Sequence, residues 1–210
     1  MSARRSSQRL SHTLVRTGSA VLAALFACSA YAQRVPIVSG AASIDAGAGV
    51  GMTGAVTVNE AAGLDNAQAN QLTITSGNVV AVDNASAQSA SVAAKVTSTT
   101  ASIGSNAFSN SSGALMINQS AGAGNLQRNS VQVGTAAPGV ETVSDRELSV
   151  TAAKNGGQGL SIGVHSVREA TISNDAFKNV NGIVQINQTA GAGNATANSF
   201  VLRPPAGTLF

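Results

Sequence analysis

The chain has 210 residues, a formal net charge of +3, only 10% charged and 3% aromatic side chains, 22 glycines and one cysteine. An ordinary globular core draws about 1.5–3 kcal/mol from each fully buried large apolar side chain, and so few large residues exclude a thick one. Low charge with plentiful Val, Ile and Thr also excludes a charge-solvated disordered chain, which leaves a backbone-dominated β architecture.

Arg4, Arg5, Arg9 and Arg16 precede a short apolar run from Ala20 to Ala27 and then Ala30-Tyr31-Ala32. This pattern predicts a secretory signal peptide over residues 1–32, cut after Ala32. The run is shorter than the ~20 residues a helix needs to cross a bilayer. The alternative is lipoprotein processing at Cys28, because Leu25-Phe26-Ala27-Cys28 loosely resembles a lipobox. Four of the 12 Lys and Arg lie in this leader, so residues 33–210, which carry all 9 Asp and Glu, are near neutral. No basic patch supports nucleic-acid binding. The cysteine departs with the leader, leaving neither a disulfide nor a thiolate metal site.

The secreted domain, 33–210, contains three copies of one unit, at 42–74, 101–133 and 170–202. They are separated by unlike linkers at 75–100 and 134–169. Gly113 to Asn129 and Gly182 to Asn198 agree almost position for position, and Gly54 to Asn70 is a weaker version. Upstream, Ala101, Ile103 and Phe108 match Ala170, Ile172 and Phe177. The first copy has Gly49 in place of the phenylalanine and reads as a degenerate or capping copy.

Within each copy Val56 and Val58, Leu115 and Ile117, or Val184 and Ile186 sit two apart, followed by Glu60, Gln119 or Gln188. Period two predicts a strand, with these aliphatic residues and Phe108 and Phe177 as core. Asn59, Asn118 and Asn187 fall on the opposite face. Gly63, Gly122, Gly124, Gly191 and Gly193 are expected to form a tight turn, and a second strand is expected from Asn70, Asn129 or Asn198. The linkers are expected to be partly strand, around Leu148 and around Leu160 to Val164. Pro204-Pro205 should end the last strand.

Equivalent strands stacked ~4.8 Å apart bring identical amides into register, where they hydrogen-bond along the stack. Asn59, Asn66 and Asn70, then Asn118, Gln119, Asn125 and Asn129, then Asn187, Gln188, Asn194 and Asn198 are the self-assembly candidates. The bland alternative is that these Asn only fill turns. The expected fold is all-β, three stacked strand-turn-strand repeats forming a β-solenoid or Greek-key pile competent for amyloid.

At Val58-Asn59 through Asn70, Ile117-Asn118 through Asn129 and Ile186-Asn187 through Asn198, the chain resembles the fibre subunits of the Fap system, functional amyloids first described in Pseudomonas. It is more weakly similar to curlin-type repeats, through Gln119, Gly122, Gly124 and Asn125. The Fap resemblance implies export through the periplasm and an outer-membrane pore. It also implies assembly with itself and related subunits into surface or matrix fibres, as a major or minor subunit contributing to biofilm and adhesion. The competing reading is a monomeric surface adhesin built as a closed solenoid. His165 is the one histidine after the leader, and a lone histidine in a polar β segment is usually just exposed. The Ala-Gly-rich turns lack the context of a phosphate loop, so neither an enzyme, a cofactor nor a small-molecule substrate is expected.

Overall fold

The computed structural model describes residues 35–76, 86–90, 94–135 and 167–202. The expected signal peptide with Cys28, the strands near Leu148 and Leu160, His165 and Pro204-Pro205 lie outside the described residues. Those described hold nine strands and no helix: β1 (Ile37–Ile44), β2 (Thr53–Leu64), β3 (Ala67–Ser76), β4 (Lys95–Ile103), β5 (Ser112–Ala123), β6 (Leu126–Thr135), β7 (Arg168–Ile172), β8 (Asn181–Ala192) and β9 (Ala195–Leu202).

Each copy supplies three consecutive strands, and the three copies lie on each other as layers 1, 2 and 3. The strands pair in parallel between layers, never within one, giving three sheets in the orders β1-β4-β7, β2-β5-β8 and β3-β6-β9. Register follows the sequence repeat: Gly54 lies beside Gly113 and Gly113 beside Gly182, and Asn59, Asn118 and Asn187 align likewise. The steps are 59 and 69 residues. All nine strands belong to one compact unit.

Two boundaries differ from the sequence reading. The layers begin before residues 42 and 101, since β1 starts at Ile37 and β4 at Lys95. The third strand of each layer begins at Ala67, Leu126 or Ala195, three residues ahead of the expected asparagine. The reason is a bend of only two residues, made possible by a left-handed backbone at Asp65, Gly124 and Gly193.

Between the first and second strands of each layer runs an arch that the period-two pattern does not reveal. In layer 2, Asn106, Phe108 and Asn110 all have φ near +56°, alternating with residues that do not. The interlayer bonds continue through it, from Phe108 N–H to Ala48 C=O (2.7 Å) and from Phe177 N–H to Ala107 C=O (2.8 Å). Gly47, Gly49 and Gly51 adopt the same left-handed geometry in layer 1. Gly49 also makes room for a neighbour, because a Cβ there would lie 2.6 Å from a Phe108 ring carbon. The missing phenylalanine of the first copy is therefore the seat of the Phe108 ring, which stacks on its other side with Phe177 (centroids 5.7 Å apart, 10° between planes).

Phe108 anchors the main core cluster with Ile44, Ile103, Leu115 and Ile117, and Val56, Val58, Phe177 and Ile186 pack against it half-buried. Val184 departs from the expected core: it is 37% exposed, whereas its layer-2 partner Leu115 is 4% exposed. It belongs to the outer layer, which has a neighbour on one side only. Truncating Phe108 to Ala should cost about 3–5 kcal/mol, the usual loss for a buried phenylalanine. The half-covered Phe177 should cost clearly less. Urea unfolding of the two monomeric variants measures both.

Candidate self-assembly interface

The second strand of each layer turns one face toward the first strand and the other toward the third. On the face toward β4, β5 presents Leu115, Ile117 and Gln119; on the other it presents Met116, Asn118 and Ser120, as alternation requires. Asn118, Gln119, Asn125 and Asn129 are fully buried. A buried amide left without partners costs about 1–3 kcal/mol per group, so the fold must supply them.

It does so layer by layer. Asn118 Nδ2 donates to Asn59 Oδ1 (3.0 Å), and Asn187 Nδ2 to Asn118 Oδ1 (2.9 Å). Asn129 donates in the same way to Asn70 (2.9 Å), and Asn198 to Asn129 (3.0 Å). These two ladders cross-link: Asn70, Asn129 and Asn198 donate to Asn59, Asn118 and Asn187 within their own layers at 2.9–3.0 Å. Asn70, Asn118, Asn129, Asn187 and Asn198 also reach a backbone carbonyl, as Asn118 does with Ala69 (2.9 Å) and Asn129 with Ile117 (3.0 Å).

A third ladder runs down the bend. Asn125 donates to Asn66 and Asn194 to Asn125, both at 2.8 Å. The fourth joins Gln188 to Gln119 and Gln119 to Glu60, again 2.8 Å each. All eleven amide candidates thus lie in interlayer hydrogen-bond ladders. Sequence reasoning missed Gln68 and Gln127, which bond across layers at 2.7 Å. The signal was their matching place after Asn66 and Asn125, obscured because the third copy has Thr196 there.

The glycines sort differently from expectation. Gly124 and Gly193 sit at the bend, but Gly63, Gly122 and Gly191 lie inside strands, so assigning them to a turn is corrected. Their φ values of +123° to +131° turn the absent side chain along the stack rather than across a face. A Cβ on Gly63 would fall 1.8 Å from the Gly122 carbonyl oxygen, and one on Gly122 1.8 Å from that of Gly191. Glycine is needed there for layer spacing, not for chain reversal.

The layers are closed toward each other and open outward. Asn59 is exposed, and Ile74 and Leu202 are 74% and 45% exposed at the two ends, while Val131 and Ile103 of layer 2 are at 0% and 2%. A model of the functional amyloid protein FapB/FapC family matches residues 27–205. The chain belongs to that family.

Membership makes this FapB/FapC-family chain a functional amyloid subunit, in a family of structural subunits rather than enzymes. No solved structure matches it. Among the described residues no group of three or more His, Cys, Asp or Glu is placed to hold a metal ion. The chemistry on offer is that of paired amides and paired backbone.

Proposed function

We infer that the chain is a secreted subunit of an extracellular amyloid fibre, exported through an outer-membrane pore, and that its copies stack head to tail with each other or with related subunits to build biofilm matrix and adhesive surface. The observation that carries this reading is the pair of outer layers. β1, β2 and β3 at one end and β7, β8 and β9 at the other are the outer strands of their sheets, and both sets carry the asparagines of the ladders. Layer 3 of one copy followed by layer 1 of the next repeats the contact already made between layers 1 and 2. The stacking amides would be Asn187, Asn194 and Asn198 against Asn59, Asn66 and Asn70. A closed solenoid acting as a monomeric adhesin calls for ends that refuse another layer, and these ends support the fibre instead.

Residues 33–210, purified as monomer, should form thioflavin-positive fibres after a lag, with cross-β reflections near 4.7–4.8 Å and 10 Å. Protein that stays monomeric across a range of pH and salt overturns the fibre and leaves the adhesin.

A further inference from the structure

One ladder is not homogeneous. At the register position of Gln119 and Gln188, layer 1 carries Glu60. Both glutamines donate toward layer 1, Gln188 Nε2 to Gln119 Oε1 and Gln119 Nε2 to Glu60 Oε2. Each also donates to a carbonyl of the first strand in its own layer, Gln119 to Ser102 (2.8 Å) and Gln188 to Thr171 (2.9 Å). A carboxylate has no hydrogen to give. Glu60 does the reverse, and its Oε1 accepts the backbone N–H of Ser43 at 2.6 Å.

That N–H lies on the outer edge of β1. In the first sheet, Gly104 N–H bonds down to Ile44 C=O and Ser173 N–H to Ile103 C=O, one residue behind the register partner. Parallel pairing repeats this sense at every second residue. Ser43 N–H is therefore the donor that a copy stacked against layer 1 needs for its Ala170 carbonyl, and Glu60 already holds it.

We propose that Glu60 is a proton-controlled stop on the addition of a second copy of this chain at the layer-1 edge. As a carboxylate it makes a charge-assisted hydrogen bond to Ser43 N–H, withholding an edge donor. It also sets an acceptor oxygen against the Gln188 Oε1 of the arriving copy, acceptor against acceptor. Protonated, the same group gives its O–H to that Gln188, as an amide does in the other layers, and releases Ser43 more readily. The reaction is proton uptake by Glu60 from solvent, with no other bond made or broken. The partner is layer 3 of a second copy, so the inference rests on head-to-tail stacking.

Few other charges face the group. The strands β1, β3, β5 and β8, packed around this position, contain no ionisable side chain. Asp45 is exposed just beyond β1. β7 brings Arg168 and Glu169 to the junction. Glu169 is exposed beside Thr100 on the face away from the Ala42–Ala101 cluster. Arg168 lies across Gly191, its Cδ 3.3 Å from where a Cβ would be. Gly191 is three residues from Gln188, about 10 Å along a strand.

The test is seeded elongation of residues 33–210, followed by sedimentation of remaining monomer at about pH 7 and about pH 4. Wild type should elongate on the order of tenfold faster in acid, the effect of exchanging one repulsive buried contact for a hydrogen bond. Glu60→Gln restores the residue used in layers 2 and 3 and should elongate at about pH 7 as wild type does in acid. Glu60→Met, with neither charge nor strong acceptor, should also lose the pH dependence, and Glu169→Gln should keep it. Fibres that grow equally at both pH values, or Glu60→Gln and wild type with the same profile, overturn the proton stop alone. Absence of fibres at both pH values overturns the stacking itself.

Discussion

Replacing Asn118 and Asn187 together by Asp is expected to abolish both folding of the stack and assembly near pH 7. The two side chains lie 0% and 5% exposed, one above the other in a single ladder. The substitution takes the side-chain donors away from Ala69 C=O and Arg128 C=O, and one of two donors from each of Asn59 Oδ1, Asn70 Oδ1 and Asn129 Oδ1. It also leaves two carboxylates about 5 Å apart, the strand spacing, in a buried site. The lost bonds, at about 1–3 kcal/mol for each buried polar group deprived of its partner, add to several kcal/mol for desolvating each unpaired carboxylate, and together they rival the 5–15 kcal/mol by which domains are stable. Buried neighbouring carboxyls are harder to ionise in the folded than in the unfolded chain. The penalty therefore grows as pH rises through the unfolded value and is relieved below it. Circular dichroism and sedimentation should show partial recovery near pH 3. Wild-type assembly of the double variant near pH 7 would place these amides outside the stack.

Alanine at Gly122 and at Gly191 should give opposite phenotypes despite identical chemistry and nearly identical φ. At Gly122 the new methyl would run into the Gly191 carbonyl inside the same molecule, so the variant should fail to fold. At Gly191 it would meet only the flexible Arg168 side chain and Asn194. The chain should fold, weakened by about 1–3 kcal/mol for alanine at a φ of this kind. The carbonyl it would strike is Gly63 of the next copy, so elongation should stop although the monomer is intact. Gly54, around which a Cβ meets nothing within 4 Å, is the corresponding position at the other end. Monomer fluorescence or circular dichroism paired with seeded growth separates the cases. Gly191→Ala fibres growing at the wild-type rate would refute head-to-tail stacking in this register.

The three layers are legible in the sequence because register is carried by residues that tolerate little ambiguity. The glycine opening each unit, the aliphatic pair two apart and the asparagine between the second of that pair and Gln119 or Gln188 set all three sheets at steps of 59 and 69. The ladder amides follow from the same alignment. What stays hidden depends on backbone sign rather than on side-chain period. Gly122 looks like a turn residue, yet its positive φ serves layer spacing within β5. Phe108 is apolar and reads as core, but nothing in its neighbours announces an arch of alternating handedness in which a phenylalanine has φ of +56°. Glu60 aligns with Gln119 by position. Its reversed hydrogen bond to Ser43 emerges only once β1 is known to lie beside β2.

The layer step also governs how fast any of this can begin. Among the described residues every pairing joins residues 59 or 69 apart, or 58 before the register shift between Val38 and Gly40, and no strand pairs with a near neighbour in sequence. Closing a loop of that size costs about 3–4 kcal/mol of chain entropy before the first interlayer bond repays it. Such non-local topology folds slowly. A fibre end changes the order of events: β1, β2 and β3 can align on an existing edge without first finding layer 2 of their own chain. Template and recruit then divide the search, so spontaneous nucleation should be rare and growth on an existing end comparatively rapid.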